Sequence, residues 1–293
     1  MTLYESSLEY LRCVNCKSEL SLNSFIKTTE VEEGFLQCIK CKKNYPIIMS
    51  IPLLLDNLSS YLSVRAKLGG EIMLIAKNTR LRSFLKENLH KIKNPQNDTT
   101  NLEKNWSSIY KRSIKSKFYS HVKNSIQKLP KCKLVLEHGC SIGHVSNELA
   151  KRSQTVFGMD QSFYAILEAK RQNLKNSDFV VANSLNPPFG NKKFDMVVAL
   201  NLLDIIEPLK LLKVILNQTK RFVLISTPYD FERGKESVKN RIDANEIRLH
   251  LRQNGFRLIQ GTKQPGFIPW KLIVNDRLNL NYKADLIVAR NNK

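Results

Sequence analysis

Residues 135–143 read V-L-E-H-G-C-S-I-G, and residues 155–160 read T-V-F-G-M-D. An apolar run, a turn bounded by two glycines and a helical stretch lead to a second apolar run that ends on a carboxylate. This order predicts a buried strand, a tight turn, a helix and a second strand with Asp160 at its end. An open α/β sheet builds a nucleoside pocket in this way. Working outward, the apolar, β-rich stretches 133–137, 155–160, 178–183, 194–200 and 221–227 follow one another, most of them separated by helical sequence. Such alternation predicts a parallel sheet with helices on both faces. Ligands of open sheets bind beyond the carboxyl ends of the strands. That rule gathers Glu137, Asp160, Asn183, Asn201 and Tyr229 around one crevice.

The spacing within the turn selects the nucleoside. A dinucleotide site wants G-x-G-x-x-G, so that backbone amides can crowd a pyrophosphate. Here the glycines are Gly139-x-x-x-Gly143, with Ser141 between them and Glu137 at the strand end. Glu137 would repel a pyrophosphate but can hold an ammonium group. S-adenosylmethionine (SAM) carries an ammonium, a sulfonium and a ribose diol, and no phosphate. Asp160 stands 21 residues after Gly139, close to the roughly 20 of a ribose-binding acid. These residues resemble the class I SAM-dependent methyltransferase signature E/D-x-G-x-G-x-G, with Ser141 in place of one glycine. The resemblance implies a Rossmann-like sheet and a cofactor site of Glu137, Gly139, Ser141, Gly143 and Asp160. It also implies that Asn183 accepts from the adenine amino group where an Asp is usual, and that the stretches 256–261 and 283–290 form a closing antiparallel hairpin. An ordinary glycine turn in another nucleotide-binding fold is the alternative.

The chain has 293 residues, about two domains by length, and a net charge of +21. No stretch approaches the roughly 20 apolar residues of a membrane span. The start, M-T-L-Y-E-S-S-L-E-Y, has no basic region followed by an apolar core, so no secretory leader and a cytoplasmic location are expected. Residues 60–133 hold 17 Lys/Arg against 4 Asp/Glu. This segment reads either as a nucleic-acid footprint or as solvated helical faces.

Cys13-x-x-Cys16 and Cys38-x-x-Cys41, with 21 residues between the pairs, read as a four-thiolate structural Zn2+ site. Each knuckle presents two sulfurs to one ion, and the metal holds a unit too small to fold alone. Disulfides are the alternative, which a reducing cytoplasm disfavours. Residues 44–55, N-Y-P-I-I-M-S-I-P-L-L-L, resemble the zinc-ribbon family of the small activator subunit that partners tRNA, rRNA and release-factor methyltransferases. That family shows Y-P-I-x-x-G-I-P, and Ser50 replaces its glycine. Cys132 and Cys140 have no knuckle partner and read as small buried hydrophobes.

Three parts are expected: a zinc ribbon (1–57), a basic helical linker or lid (58–125) and a SAM-dependent methyltransferase domain (126–293), with helix breaks at Gly69–Gly70 and at Asn94-Pro95-Gln96-Asn97-Asp98. Thr100 and Glu103 read as a capping box. Trp106 and Tyr110, at i and i+4, share one face and read as a lid over the cofactor or as packing onto the sheet. The tail P-G-F-I-P-W-K (265–271) offers Trp270 as a closing aromatic or as core.

The acceptor question rests on F-D-M-V-V-A-L-N-L-L-D-I-I-E-P (194–208). Its L-N-L-L-D segment resembles the DREV-type protein-histidine and mercaptohistidine N-methyltransferases, which implies that Asn201 and Asp204 face an imidazole. A carboxylate that accepts from one ring N–H fixes the tautomer and leaves the other nitrogen free to attack. The alternative is that Asn201 and Asp204 cap the next helix. Tyr229 and Asp230, in S-T-P-Y-D-F, would line the same pocket. No N-P-P-Y motif follows the fourth strand. Three functions stay open at this stage. The first is an N-methyltransferase for a small molecule or peptide side chain, with imidazole as one acceptor and Asn201, Asp204 and Tyr229 in catalysis. The second is an RNA base methyltransferase, a reading helped by a resemblance to bacterial rRNA guanine-N1 methyltransferases, which also carry a zinc ribbon. The third is a silent scaffold, against which Glu137, Gly139, Gly143 and Asp160 argue.

Overall fold

A computed structural model describes residues 7–93, 97–172 and 175–292. The first six residues of the stretch read for a leader and Asn94-Pro95-Gln96 of the expected helix break lie outside the described residues. Four antiparallel strands come first: β1 (Leu20–Lys27), β2 (Val31–Cys38), β3 (Asn44–Ile48) and β4 (Ile51–Leu54). Helices α1 (Leu58–Ser63), α2 (Ala66–Ile75), α3 (Thr79–His90), α4 (Thr100–Arg112) and α5 (Lys117–Lys128) follow. The second half alternates: β5 (Cys132–His138), α6 (His144–Ala150), β6 (Ser153–Asp160), α7 (Phe163–Lys170), β7 (Ser177–Ala182), β8 (Phe194–Leu200), α8 (Pro208–Gln218), β9 (Thr219–Thr227), α9 (Ala244–Gln253), β10 (Phe256–Leu258), β11 (Ile268–Ile273) and β12 (Asn279–Asn291).

The strands join in the order β1-β2-β3-β4-β7-β6-β5-β8-β9-β12-β10, with β11 on β12. From β4 to β9 every pair except the leading hairpins is parallel, and β12 runs antiparallel to β9, β10 and β11. This is a Rossmann-like α/β fold, with the cysteine unit at its amino-terminal edge. The parallel strands are buried on both faces, which is why β8 reads as an unbroken apolar run. On one face α8 and α9 cover Leu136, Val197 and Ile225. On the other, Phe118, Val122 and Ile126 of α5 cover Val135, Val198 and Leu224. The strand order turns back between β5 and β8, and ligands of open sheets bind at that switch point.

Four local features are decided by the fold, and the first two overturn expectations. Helix α2 runs through Gly69–Gly70 without a break, because a Cβ on Gly69 would stand 2.6 Å from Leu89 Cδ2, so the glycine lets α2 approach the end of α3. The residue at the N-cap of α4 is Thr99, and no capping box forms: Glu103 turns to Arg65, at 2.6 Å, while Asp98 accepts from the Thr100 amide at 2.9 Å. The segment around Trp270 is a strand, β11, although it contains Pro269. It pairs only with β12, and an edge position tolerates proline. Ser50 and Met49 both take positive φ, 60° and 52°, between the paired residues Ile48 and Ile51. This is the two-residue hairpin geometry that favours glycine, reached here without one.

Candidate active site

At the carboxyl ends of β5, β6 and β8 a cavity of about 220 Å³ opens between the sheet and the helices α4 and α5. The glycine turn forms its floor. Gly139 has φ 62° and lies so close to Leu202 that a Cβ would meet its Cδ2 at 2.6 Å. Ser141 has φ 48° and Gly143 φ 74°. Ser141 therefore adopts the left-handed backbone for which the usual glycine is suited. The turn is fastened by Asp160, whose two carboxylate oxygens accept from the Ser141 amide at 2.9 Å and the Ser162 amide at 2.8 Å. Lone pairs remain on both oxygens for hydroxyl donors. Burial raises the Asp160 carboxyl above its ordinary value, against the pull of these amides.

Glu137 is the penultimate residue of β5, is 3% exposed and accepts from the Ser146 hydroxyl. Burial, with the Asp160 charge nearby, pushes its carboxyl up to about 8. Glu103 of α4 is a third acid on the cavity wall, also raised by burial although Arg65 pairs with it. No lysine or arginine lines the cavity among the described residues. In a chain of charge +21, the pocket is an acidic enclave suited to a cation.

The remaining wall is aromatic. Helix α4 turns Glu103, Trp106, Ser107 and Tyr110 inward, one face at helical spacing. Phe118 and Tyr119 come from α5 and Trp270 from β11. Trp106 and Tyr110 lie 5.8 Å apart by ring centroids, Phe118 and Trp270 also 5.8 Å, and Trp270 and Tyr282 5.1 Å. Tyr119 meets His144 edge-on at 4.9 Å. Trp270 is both core and wall: it is 1% exposed, and its indole N–H has no hydrogen-bond partner. Of these residues the sequence singled out Trp106, Tyr110 and Trp270. Phe118, Tyr119, His144 and Glu103 were missed as wall residues, since nothing local marks which face of α5 meets the turn.

The sequence-derived site divides. Glu137, Gly139, Ser141, Asp160 and Asn201 line this cavity, whereas Gly143 lies outside its lining as the N-cap of α6, where a Cβ would meet Ala169 Cβ at 2.9 Å. Asn201 has φ 56°, and its side-chain oxygen accepts from the Ser226 hydroxyl at 2.8 Å. Asn183 does not line it: its side-chain oxygen accepts from the Leu185 amide at 2.9 Å, closing a local turn. Tyr229 does not line it either. Its hydroxyl donates to Asp285 at 2.8 Å, and Asp285 also pairs with both terminal nitrogens of Arg248. Asp204 is fully buried, outside the cavity lining, and paired with Arg233 at 2.8 Å. Burial pushes its carboxyl up to about 6, and its Oδ1 has no partner. Neither Asn201 nor Asp204 caps α8, whose N-cap is Glu207. Arg233 stands between Asp204 and the aromatic wall, 5.4 Å from the Trp270 ring and 5.8 Å from that of Tyr282.

At the other end of the sheet the sulfurs of Cys13, Cys16, Cys38 and Cys41 all lie within 4.8 Å of one another. The Cys16 and Cys41 amides point at Cys13 Sγ and Cys38 Sγ, at 3.5 and 3.4 Å. Lys17 and Lys42, each next after its pair, take the same positive φ, 62° and 58°. The two knuckles are thus alike in backbone. A tetrahedral zinc with bonds of about 2.3 Å sets its sulfurs about 3.8 Å apart, and the cluster spans that size.

Residues 135–222 match the family described as "Methyltransferase domain". No curated protein matches the chain. Among solved structures, the magnesium protoporphyrin IX methyltransferase of Synechocystis with bound SAH is 17% identical, with a TM-score of 0.48 over 66% of this chain and 95% of that one. The N-methyltransferase NodS of Bradyrhizobium japonicum, in complex with SAH, is 13% identical, with a TM-score of 0.46 over 64% and 99%. A complex of the Trm112 methyltransferase activator with a candidate methyltransferase from Haloferax volcanii is 15% identical, at 0.46 over 58% and 88%. The matched segment contains the glycine turn, Glu137, Asp160 and Asn201. Residues 135–222 carry a methyltransferase domain.

Proposed function

We propose that the enzyme methylates a nitrogen of a small, flat acceptor or side chain held between Trp106, Tyr110 and Trp270. The observation that supports this reading is the composition of the cavity at the switch point: the glycine turn, three acids of which Glu137 is buried, and an aromatic wall, with no cationic side chain among the described residues. The Glu137 carboxylate takes the cofactor ammonium, Asp160 the ribose hydroxyls, and the turn at Gly139–Gly143 the remainder. Methyl transfer is an in-line displacement. The nitrogen lone pair forms the new C–N bond as the C–S bond breaks, and the sulfonium becomes a neutral thioether. The acceptor nitrogen is cationic until it sheds a proton. Ring faces and nearby carboxylates stabilise such a charge. An imidazole fits these walls, but Asp204 acts on it only through Arg233. The four cysteines hold a structural zinc in this reading, a closed N-terminal site with no part in the chemistry.

An RNA base acceptor is the second reading. It is favoured by exposed cations on and around α5, namely Lys115, Lys117, Lys128, Lys131 and Lys133. Transfer of tritiated methyl from SAM into fractionated cell extract separates the two. Label in a nuclease-resistant, low-mass or peptide fraction supports the first reading. Label lost to nuclease overturns it in favour of the second.

A further inference from the structure

A second, larger groove of about 720 Å³ lies on the α5 face of the sheet, away from the glycine turn. Its floor is apolar: Leu129, Phe222, Leu286 and Val288, with Ile259 and Ile268 at the sides. Its rim carries Lys128, Arg257, Lys263 and Arg290, and no carboxylate lines it among the described residues. Arg257 and Arg290 are direct register partners on β10 and β12. Their Cβ atoms therefore stand about 5 Å apart on one face. Like charges in that relation destabilise a strand pair, and neither arginine makes an ion pair with a described carboxylate. Phe267, between the groove residues Gly266 and Ile268, is 72% exposed. Two guanidinium groups without a described carboxylate partner, at the end of a trough with an apolar floor, form a site for an anion that carries an apolar body.

We propose that this groove binds a phosphate monoester on an aliphatic chain, with the phosphate on Arg257 and Arg290 and the chain along Leu286 and Val288. Two guanidinium forks match a phosphate dianion in charge and in hydrogen-bond geometry. The one aromatic ring on the floor, Phe222, is only 4% exposed and offers no open face on which a single-stranded base could stack. The groove also adjoins the active site. Ile268 borders the groove, and Trp270, two residues along the same strand or about 7 Å, borders the catalytic cavity. The inference stands apart from the choice of methyl acceptor.

The test is calorimetric titration of the full chain with decyl phosphate below its micelle concentration. Inorganic phosphate, a uridine oligonucleotide and anionic phospholipid vesicles are the other arms. One site for decyl phosphate is expected. Inorganic phosphate should bind about a hundredfold more weakly or worse, since it buries no chain. Arg257→Gln/Arg290→Gln should weaken decyl phosphate by about tenfold or more. In ligand-free protein the same variant should melt no lower than the wild type, because a repulsion is removed. Decyl phosphate affinity indifferent to the double variant overturns the proposal. So does an oligonucleotide that displaces decyl phosphate through the same arginines, which assigns the groove to nucleic acid. Binding to vesicles without binding of monomeric decyl phosphate also overturns it.

Discussion

Glu137 sits at the centre of the residue-scale chemistry. Its carboxyl, pushed up to about 8, holds a proton near neutral pH in the ligand-free protein. A bound ammonium stabilises the carboxylate and expels that proton. SAM affinity should therefore strengthen as pH rises from about 6.5 to about 8.5, roughly tenfold per unit at most below the raised value. Calorimetry in buffers of different ionisation enthalpy reads the released proton directly, and an affinity flat in pH with no proton release refutes this role. The sign for stability is opposite. The unfolded chain gives up this proton near the ordinary carboxyl value, about 4.3, while the fold keeps it to about 8, so this contribution to ligand-free stability falls as pH rises between those values. Asp204 behaves differently, because its partner is Arg233 and not the acceptor. Asp204→Ala leaves Arg233 without a counter-charge behind Trp270, and loss of one member of a buried pair costs about 3 kcal/mol. Urea denaturation should show this loss, whereas a variant of unchanged stability and lost turnover would return Asp204 to the acceptor.

Helix α4 is the element on which access to the cavity turns. It is held from outside by Arg65 on Glu103 at 2.6 Å and by Lys104 on Glu71 at 2.6 Å, and from inside by its aromatic face. Its apolar anchor is slight, because among its residues only Thr100, Ser107 and Ile109 are buried. An element with few buried apolar contacts belongs to the low-stability end of a fold, as a lid must. Trp106→Ala removes a wall of the acceptor space with little core behind it. Turnover with any flat acceptor should drop by about tenfold or more for the loss of one stacking face, while the melting temperature moves by only a few degrees. A collapse of the fold in that variant would mark Trp106 as core instead of wall.

Across the whole molecule, the cysteine unit and the catalytic sheet share one core. Independent cores, the natural expectation for a ribbon of this size, are not observed. Strand β4 pairs in parallel with β7, Leu53 opposite Val181, and Leu11, Cys13, Tyr45 and Leu54 pack in one cluster with Phe157, Phe189 and Phe194. The first knuckle also grips the loop after β7. The Arg12 amide donates to the Pro188 carbonyl at 2.7 Å, and Asn186 donates to the Val14 carbonyl at 3.1 Å and to Asp56 at 2.6 Å. Chelation of a bound zinc should therefore do more than loosen the first 57 residues. It should lower the main melting transition and weaken SAM binding, read by calorimetry with and without a chelator. Two separate transitions, with SAM affinity intact, would restore the picture of independent units. Among the described residues no helix is long and apolar enough to cross a membrane.

What the sequence determined by itself is the short-range chemistry. The Gly139–Gly143 turn, Asp160 at its strand end, the two cysteine knuckles and the buried parallel strands were all legible, because each is specified by residues a few positions apart: glycine where φ is positive, paired thiols on one loop, unbroken apolar runs where both faces are covered. Five residues of the cofactor set meet in one cavity for that reason. Tertiary structure alone decided the partners of Asp204 and Tyr229, which bond to Arg233 and Asp285 and so leave the cavity, whereas Asn183 is drawn off by a local turn to the Leu185 amide. It likewise decided that α5 supplies Phe118 and Tyr119 to the wall, that β11 carries Trp270 as an edge strand despite Pro269, and that β4 completes the sheet beside β7. These are choices between chemically equal options. A carboxylate takes any nearby cation and an exposed strand edge takes any strand, so only the packing of distant segments says which one arrives.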